Sequence, residues 1–226
     1  MASKESSKTI SLTNHTGDIF AAPENTVLIH ACNTQGSWGG GIAVPFKDIY
    51  PKAFEIYHQH CISKISPVKT GTCLLIEPDE TGTSPRHWIA CLFTSKRYGR
   101  GKDRPDEILE SSGRAVRDLL EQLKGAEEEG RLLGGLRMCR INSGRFGVEW
   151  GRTEGVLEDI KVEEGWRRDI EVWGREEDLL LPEGECWRSE ETLSLADLSL
   201  LSLRWHAPVT SQHRGLTSVA SHVAQG

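Results

Sequence analysis

This chain lacks most of the signals that assign a function at once. No apolar run approaches the roughly 18 residues that a membrane-spanning helix needs. The opening MASKESSKTI is polar and has no apolar signal core, so a soluble protein of the cytoplasm or nucleus is expected, with no membrane partner. Six cysteines occur, at 32, 61, 73, 91, 139 and 186, with no C-x-x-C pair among them. Reduced thiols suit that compartment. His58, His60 and Cys61 lie close in sequence, but on a helix 60 points away from 58 and 61, so no metal site is expected there, and no cofactor. No Gly-Lys-Ser/Thr follows a glycine loop, and there is no G-x-G-x-x-G, which excludes a Walker loop and a dinucleotide fingerprint. The absence of G-x-S-x-G removes the hydrolase serine elbow. Charge of one sign is also missing from most of the chain. The net charge is −6, but 176–197 alone carries −7 and 198–226 carries +2, leaving 1–175 near neutral. A broad nucleic-acid surface is therefore not expected.

Glycine is what the chain has in the right places. Residues 27–31 form an apolar run that leads into a loop with Gly36 and Gly39, Gly40 and Gly41, and a helix opens near Ile42. The design puts bare backbone N–H groups beyond the carboxyl end of a strand and at a helix N-terminus. Glycines let a ligand approach that backbone, and the helix dipole favours an anion. A second segment repeats the design. The stretch 136–141 reads as a strand, Gly144 and Gly147 form the loop, and a helix follows. Ligands of open α/β sheets bind in the crevice at this edge. Two such loops could grip a diphosphate from both sides; the alternative is a pair of tight turns that need φ > 0.

The remaining pattern alternates strands and helices. Strands are expected at 9–12, 27–32, 72–76, 88–93, 136–141 and 169–173. Helices are expected over 42–62, with a break at Pro51, over 105–124 and over 152–162. Residues 79–85 read as a turn region and 95–104 as a basic loop. This order specifies an α/β fold: a three-layer α/β/α sandwich on a mixed central sheet. The organisation is 1–7 as a disordered N-terminus, 8–174 as the domain, and 175–226 as a low-order tail, acidic and then Leu/Ser-rich. Leu193, Leu195, Leu198 and Leu201 could anchor a partner, or the tail is simply a loosely constrained extension.

Five pieces of sequence resemble the macrodomain family, and within it the fungal ADP-ribose 1″-phosphate phosphatase branch. They are TGDIF (16–20), HACNTQGSWGGGIA (30–43), FKDIYPKA (46–53), CLFTS (91–95) and INSGRFGVEW (141–150). The tryptophan before the triple glycine and the INSG-x-FG block are the most specific, and the resemblance spans about 8–174. It implies the macrodomain fold, binding of ADP-ribose or its 1″-phosphate, removal of the 1″-phosphate, and a monomer that needs no cofactor. ADP-ribosylated proteins are a further class of partner open to it. A reader that binds without turnover, or a hydrolase of ADP-ribosyl esters on proteins, would use the same cleft. The glycohydrolase type of the family pairs a lysine with an aspartate; Phe146 stands about where that aspartate would fall.

The expected contacts follow. Asp18 could accept a hydrogen bond from an exocyclic amine, and the resemblance gives it the adenine amino group; the alternative is an Asx turn or helix cap. Asn33 is matched to the distal ribose, or is a turn former. The ligand-binding set is Gly17, Asp18, Ile19, Ala31, Cys32, Asn33, Trp38, Gly39, Gly40, Gly41, Ile42, Ala43, Ile141, Asn142, Ser143, Gly144, Arg145, Phe146 and Gly147. Phe146 could face the distal ribose or plug the core. For proton handling the candidates are His30 and Asp103, with Asn33 holding the ribose. His30 could equally be a core residue, and Asp103 a cap for the helix after Pro105. Lys96, Arg97, Arg100 and Lys102 could attract the terminal phosphate or point to solvent, as could Arg140 and Arg145 beside the second loop.

Overall fold

The computed structural model describes residues 8–80 and 85–174. The expectations for 1–7, for 81–84 within the turn region and for 175–226 lie outside the described residues. Six strands form one sheet in the order β1-β6-β5-β2-β4-β3. They are β1 Ser11–Thr16, β2 Val27–Asn33, β3 Cys73–Ile76, β4 Trp88–Ser95, β5 Leu136–Cys139 and β6 Asp169–Gly174. Only β3, at one edge, is antiparallel to its neighbour; the other pairs are parallel. The helices are α1 Ala43–Ile49, α2 Pro51–Ile62, α3 Pro105–Glu128 and α4 Trp150–Glu158.

Parallel strands buried on both faces read as continuous apolar runs. β4 is buried at every position, and β2 at all but Ala31. Covering both faces takes two helical layers. Phe46 of α1 stacks on His30, and Tyr57 of α2 stacks on Phe93. α3 packs along β4 and β3 and is backed by α4. Its buried stripe includes Ile108, Ala115, Leu119 and Leu123, the face expected from the sequence. Pro51 opens α2 at its first turn, where its missing N–H costs nothing. No helix of the described residues is long and apolar enough to cross a membrane.

The first strand differs from its expected position. Thr9 makes only an isolated bridge to Lys161, and the ladder with β6 begins at Ser11. An edge strand with a half-exposed face has a weak hydrophobic pattern, and its neighbour sets its bounds.

The parallel strands β1, β2, β4, β5 and β6 all point the same way. Four of their outgoing loops, at 17–20, 34–42, 96–104 and 140–149, therefore meet at one edge of the sheet.

Candidate functional site

Gly17 begins the first of these loops. Its φ is +141°, and a Cβ would lie 3.1 Å from the Trp173 ring. Only glycine fits there without displacing the indole. Asp18 is exposed and accepts a hydrogen bond from the Phe20 N–H at 2.9 Å, forming the Asx turn. Among the described residues its second oxygen has no partner and remains available to a ligand. Ile19 is buried beneath it.

The second loop is held by Asn33. Its Oδ1 accepts from Gln35 N at 2.9 Å and from Ser37 N at 3.4 Å, while its Nδ2 donates to Ser37 O at 2.7 Å. The Tyr57 hydroxyl donates to Asn33 O at 2.7 Å. The Asn33 amide is thus engaged within its own loop. Trp38 is buried, with its indole stacked 5.1 Å from the Tyr57 ring. That stack fixes the start of the triple glycine. Among the described residues the N–H groups of Gly39, Gly40, Gly41 and Ile42 donate to no protein acceptor. They are the free donors of this loop. α1 has only seven residues and no side-chain cap, so its dipole adds little. The unpaired amides are what an anion would find.

The loop at 140–149 carries the second set of amides. Asn142 has φ +67° and is buried. Its Nδ2 donates to Ser112 Oγ of α3 at 2.8 Å. Ser143 Oγ donates to Arg140 O at 2.6 Å. Gly147 N closes a turn on Gly144 O at 2.9 Å. The N–H groups of Ser143, Gly144, Arg145 and Phe146 have no acceptor among the described residues. Phe146 is half-buried and packs with the cluster of Ile108, Leu109 and Val148.

The two glycine loops approach one another through Arg145. A Cβ at Gly40 would lie 2.9 Å from Arg145 Nε, and one at Gly41 3.6 Å from its Cγ. The exposed Arg145 side chain therefore lies across the glycines, with its guanidinium against Gly40. Lys102 Nζ donates to Arg145 O at 3.3 Å, tying the basic loop to the same place.

The loop at 96–104 folds on itself. Ser95 Oγ donates to Arg97 O at 2.8 Å and accepts from Asp103 N at 3.0 Å. Lys96 N donates to Asp103 Oδ2 at 3.0 Å. The cap position of α3 falls on Arg104, whose N–H donates to Glu107 Oε2. Asp103 is thus a loop brace rather than the cap. A hollow of about 490 Å³ lies beside this loop, lined by Thr34, Gln35, Val68, Lys69, Thr70, Lys96 and Arg97. Lys69 and Thr70 belong to a segment that no motif singled out, and only the antiparallel return of β3 brings them here.

Several of the expected residues lie in the core. His30 is fully buried, with Phe46 stacked 4.1 Å from it and Trp38 edge-on at 4.8 Å. In that position it is a core ring and does not face the loops. The side chains of Cys32, Ile141 and Asn142 are also buried. Burial opposes ionisation of Cys32, but the Cys91 thiol, the His30 ring and the Trp38 indole outweigh it and bring the thiol down to about 5. Burial and the Cys32 charge push Cys91 well up.

A doubly covered, mainly parallel sheet with two amide-lined loops at its carboxyl edge defines a domain built to hold an anionic ligand. The family model for the macro domain matches 29–157, and the chain belongs to that family. It is 46% identical over 159 residues to a protein of Chaetomium globosum named ADP-ribose 1″-phosphate phosphatase, covering 68% of this chain and 86% of that protein. A protein of the same name from Aspergillus clavatus is 42% identical over 181 residues, covering 67% and 91%. Among solved structures, the macrodomain of Mycobacterium tuberculosis DarG superposes with a TM-score of 0.52 at 22% identity, covering 72% of this chain and 97% of that one. Thermosipho africanus DarTG in complex with ADP-ribose superposes with a TM-score of 0.54 at 17% identity, covering 70% and 39%. These two likenesses concern the fold.

Proposed function

We propose that this macrodomain binds ADP-ribose across its loop edge and removes the phosphate from ADP-ribose 1″-phosphate. The observation that carries the reading is the pair of loops with unpaired amides, 39–42 and 143–146, bridged by Arg145. The names of the close fungal relatives support the substrate.

Asp18 would accept from the adenine amino group with the oxygen left over from its Asx turn. The amides of 143–146 would hold the diphosphate, and those of 39–42 the terminal phosphate. Arg145 would move off the glycines and place its guanidinium on the phosphate oxygens. Phe146 would pack against the distal ribose. Asn33 would act by fixing the loop that carries these donors, its own amide being engaged there. In the reaction water attacks phosphorus and the bond to the C1″ oxygen breaks. The attacking water loses a proton and the departing oxygen gains one. Asp103 is the candidate for part of that transfer, since its Oδ1 is left over from the bond to Lys96. Binding energy from adenosine would position the reacting end.

Phosphate release from ADP-ribose 1″-phosphate by the purified full chain, with calorimetric titration of ADP-ribose alongside, tests both halves. Saturable release with binding is the expected result. Binding without release would make the domain a reader, a reading that the buried His30 favours. Absence of binding would overturn the reading of both loops.

A further inference from the structure

The turn that carries Asp18 is held by a residue that no motif singled out. Ala21 N donates to Asp18 O at 3.2 Å, so residues 18–21 close as one turn. Arg137 of β5 donates from Nη1 to Ala21 O at 3.1 Å. Its Nε lies 2.9 Å from Glu171 Oε2 on β6. Its guanidinium carbon sits 4.2 Å from the centre of the Trp173 ring. Trp173 Nε1 donates to the same Glu171 oxygen at 2.9 Å. This indole is the one that a Cβ on Gly17 would meet at 3.1 Å.

Arg137 therefore grips the turn on both sides of Asp18. It reaches Gly17 through the indole and Ala21 O directly. The strand register brings these groups together. Arg137 pairs with Glu171 across β5 and β6, and Trp173 lies two residues further along β6 on the same face. The edge of the planar guanidinium serves Glu171 and Ala21 O while its face lies on the indole. A lysine, as a point charge, cannot do both. The Arg137 side chain is 13% exposed, and a cation held that deep needs matched acceptors, which it has. Arg137 and Ala21 are 116 residues apart, so no local pattern records the contact.

We infer that Arg137 is the positioning residue for purine recognition: by fixing the Asp18 turn it sets the preference for a purine with an amino group at C6 over one with an oxo group. The inference rests on the reading that Asp18 receives the adenine amino group. One Asp18 oxygen is tied to Phe20 N, and the other points to the ligand. An amine at C6 donates to that oxygen, whereas a carbonyl there sets a second acceptor against it. A turn free to swing would turn its carboxylate to water and lose the distinction, so discrimination needs the turn held still. His87 Nε2 holds the next carbonyl, Ala22 O, at 3.0 Å. The rest of the loop thus keeps its own anchor when Arg137 is replaced.

The test is calorimetric titration of the full chain with ADP-ribose and with inosine diphosphate ribose, its hypoxanthine counterpart. Wild type, Asp18→Ala, Arg137→Met and the double variant are compared. Wild type should prefer ADP-ribose by roughly 10-fold or more, the worth of a hydrogen bond to a charged group. Arg137→Met should bring that preference close to one. Added to Asp18→Ala, it should change the affinity for ADP-ribose by less than about 2-fold, because a residue that acts through Asp18 then has nothing to act on. Arg137→Lys keeps the charge but not the fork, should also lose the preference, and serves both comparisons if the methionine variant does not fold. A wild-type preference retained in the Arg137 variants, or additive losses in the double variant, would overturn the inference alone. A wild type that does not distinguish the two purines, or unchanged affinity in Asp18→Ala, would overturn the placement of adenine on Asp18 and the inference with it.

Discussion

Gly40→Ala separates ligand binding from folding better than any other change in the loops. Gly40 is not among the residues with positive φ, so alanine can take its backbone conformation. By itself such a change holds or raises stability by about 0.4–1 kcal/mol, through the unfolded chain. In the folded state the new methyl carbon would lie 2.9 Å from Arg145 Nε and 3.3 Å from its Cζ. Arg145 is exposed and ends in a flexible chain, so it can move away at little cost. A phosphate held by the amides of 39–42 would meet the methyl group and could not retreat. Losing one charge-assisted hydrogen bond costs about 1.5–3 kcal/mol, or roughly a 10- to 150-fold rise in Kd for ADP-ribose 1″-phosphate. The assay is calorimetric titration of wild type and variant, with a thermal melt of each. The expected result is a weakened Kd at an unchanged or higher Tm. Wild-type affinity in the variant would refute the placement of the phosphate, and a lowered Tm would refute the claim that the site is locally unstrained.

Asp18→Ala should weaken ADP-ribose binding by roughly 10-fold or more, as expected for a lost hydrogen bond to a charged group, and the same titration reads it. His30→Ala should cost about 3–5 kcal/mol in denaturant unfolding, the range for a large ring removed from a core. A variant of normal stability that binds ADP-ribose but releases no phosphate would return His30 to the chemistry. Asn142→Ala should cost about 1.5–3.5 kcal/mol, because it removes the hydrogen bond to Ser112 Oγ, which keeps its bond to Ile108 O, and leaves alanine at φ +67°. Acidification should destabilise the fold through His87. Burial, outweighing its backbone hydrogen bonds, lowers its pKa, and the ring is pinned between the Tyr50 hydroxyl at 2.6 Å and Ala22 O at 3.0 Å. Below about pH 6.5 the unfolded chain takes up a proton that the folded one resists, so Tm should fall as pH drops through that value and hold above it. In His87→Gln this part of the pH dependence should disappear.

The elements were legible because their patterns are strong. The runs in β2 and β4, the stripe on α3 and the Pro51 break all report burial, which dominates folding energy. The sheet-edge location of both glycine loops was legible for the same reason, since each follows a strand. The direction of individual side chains was not. His30 and Asn33 are three residues apart on one strand, so a strict alternation sends them to opposite faces, and the register shift at Cys32/Asn33 breaks even that rule. Asp103 looked like a cap because Pro105, Asp106 and Glu107 open a helix, yet Glu107 and Arg104 satisfy that end between them. The Arg145 contact with Gly40 joins residues from different strand ends, so no local period records it.

Three polar side chains that looked like ligands hold the loops in place: Asn33 and one oxygen of Asp103 brace their own loops, and Asn142 ties its loop to Ser112 of α3. This follows from how an irregular loop satisfies its backbone. A turn that leaves the sheet gives up ladder partners, and short amides and carboxylates replace them most cheaply. Once Asn33 has taken the N–H of Gln35 and Ser37, the amides beyond it need no protein acceptor, because water reaches them. Those leftover N–H groups cost nothing in the free protein and are already aimed when an anion displaces the water. The side chains build the shape of the loops, and the unpaired backbone between them is what binds. That is why both sites are rich in glycine, and why substitution at an asparagine should read first as a loss of order and only then as a loss of affinity.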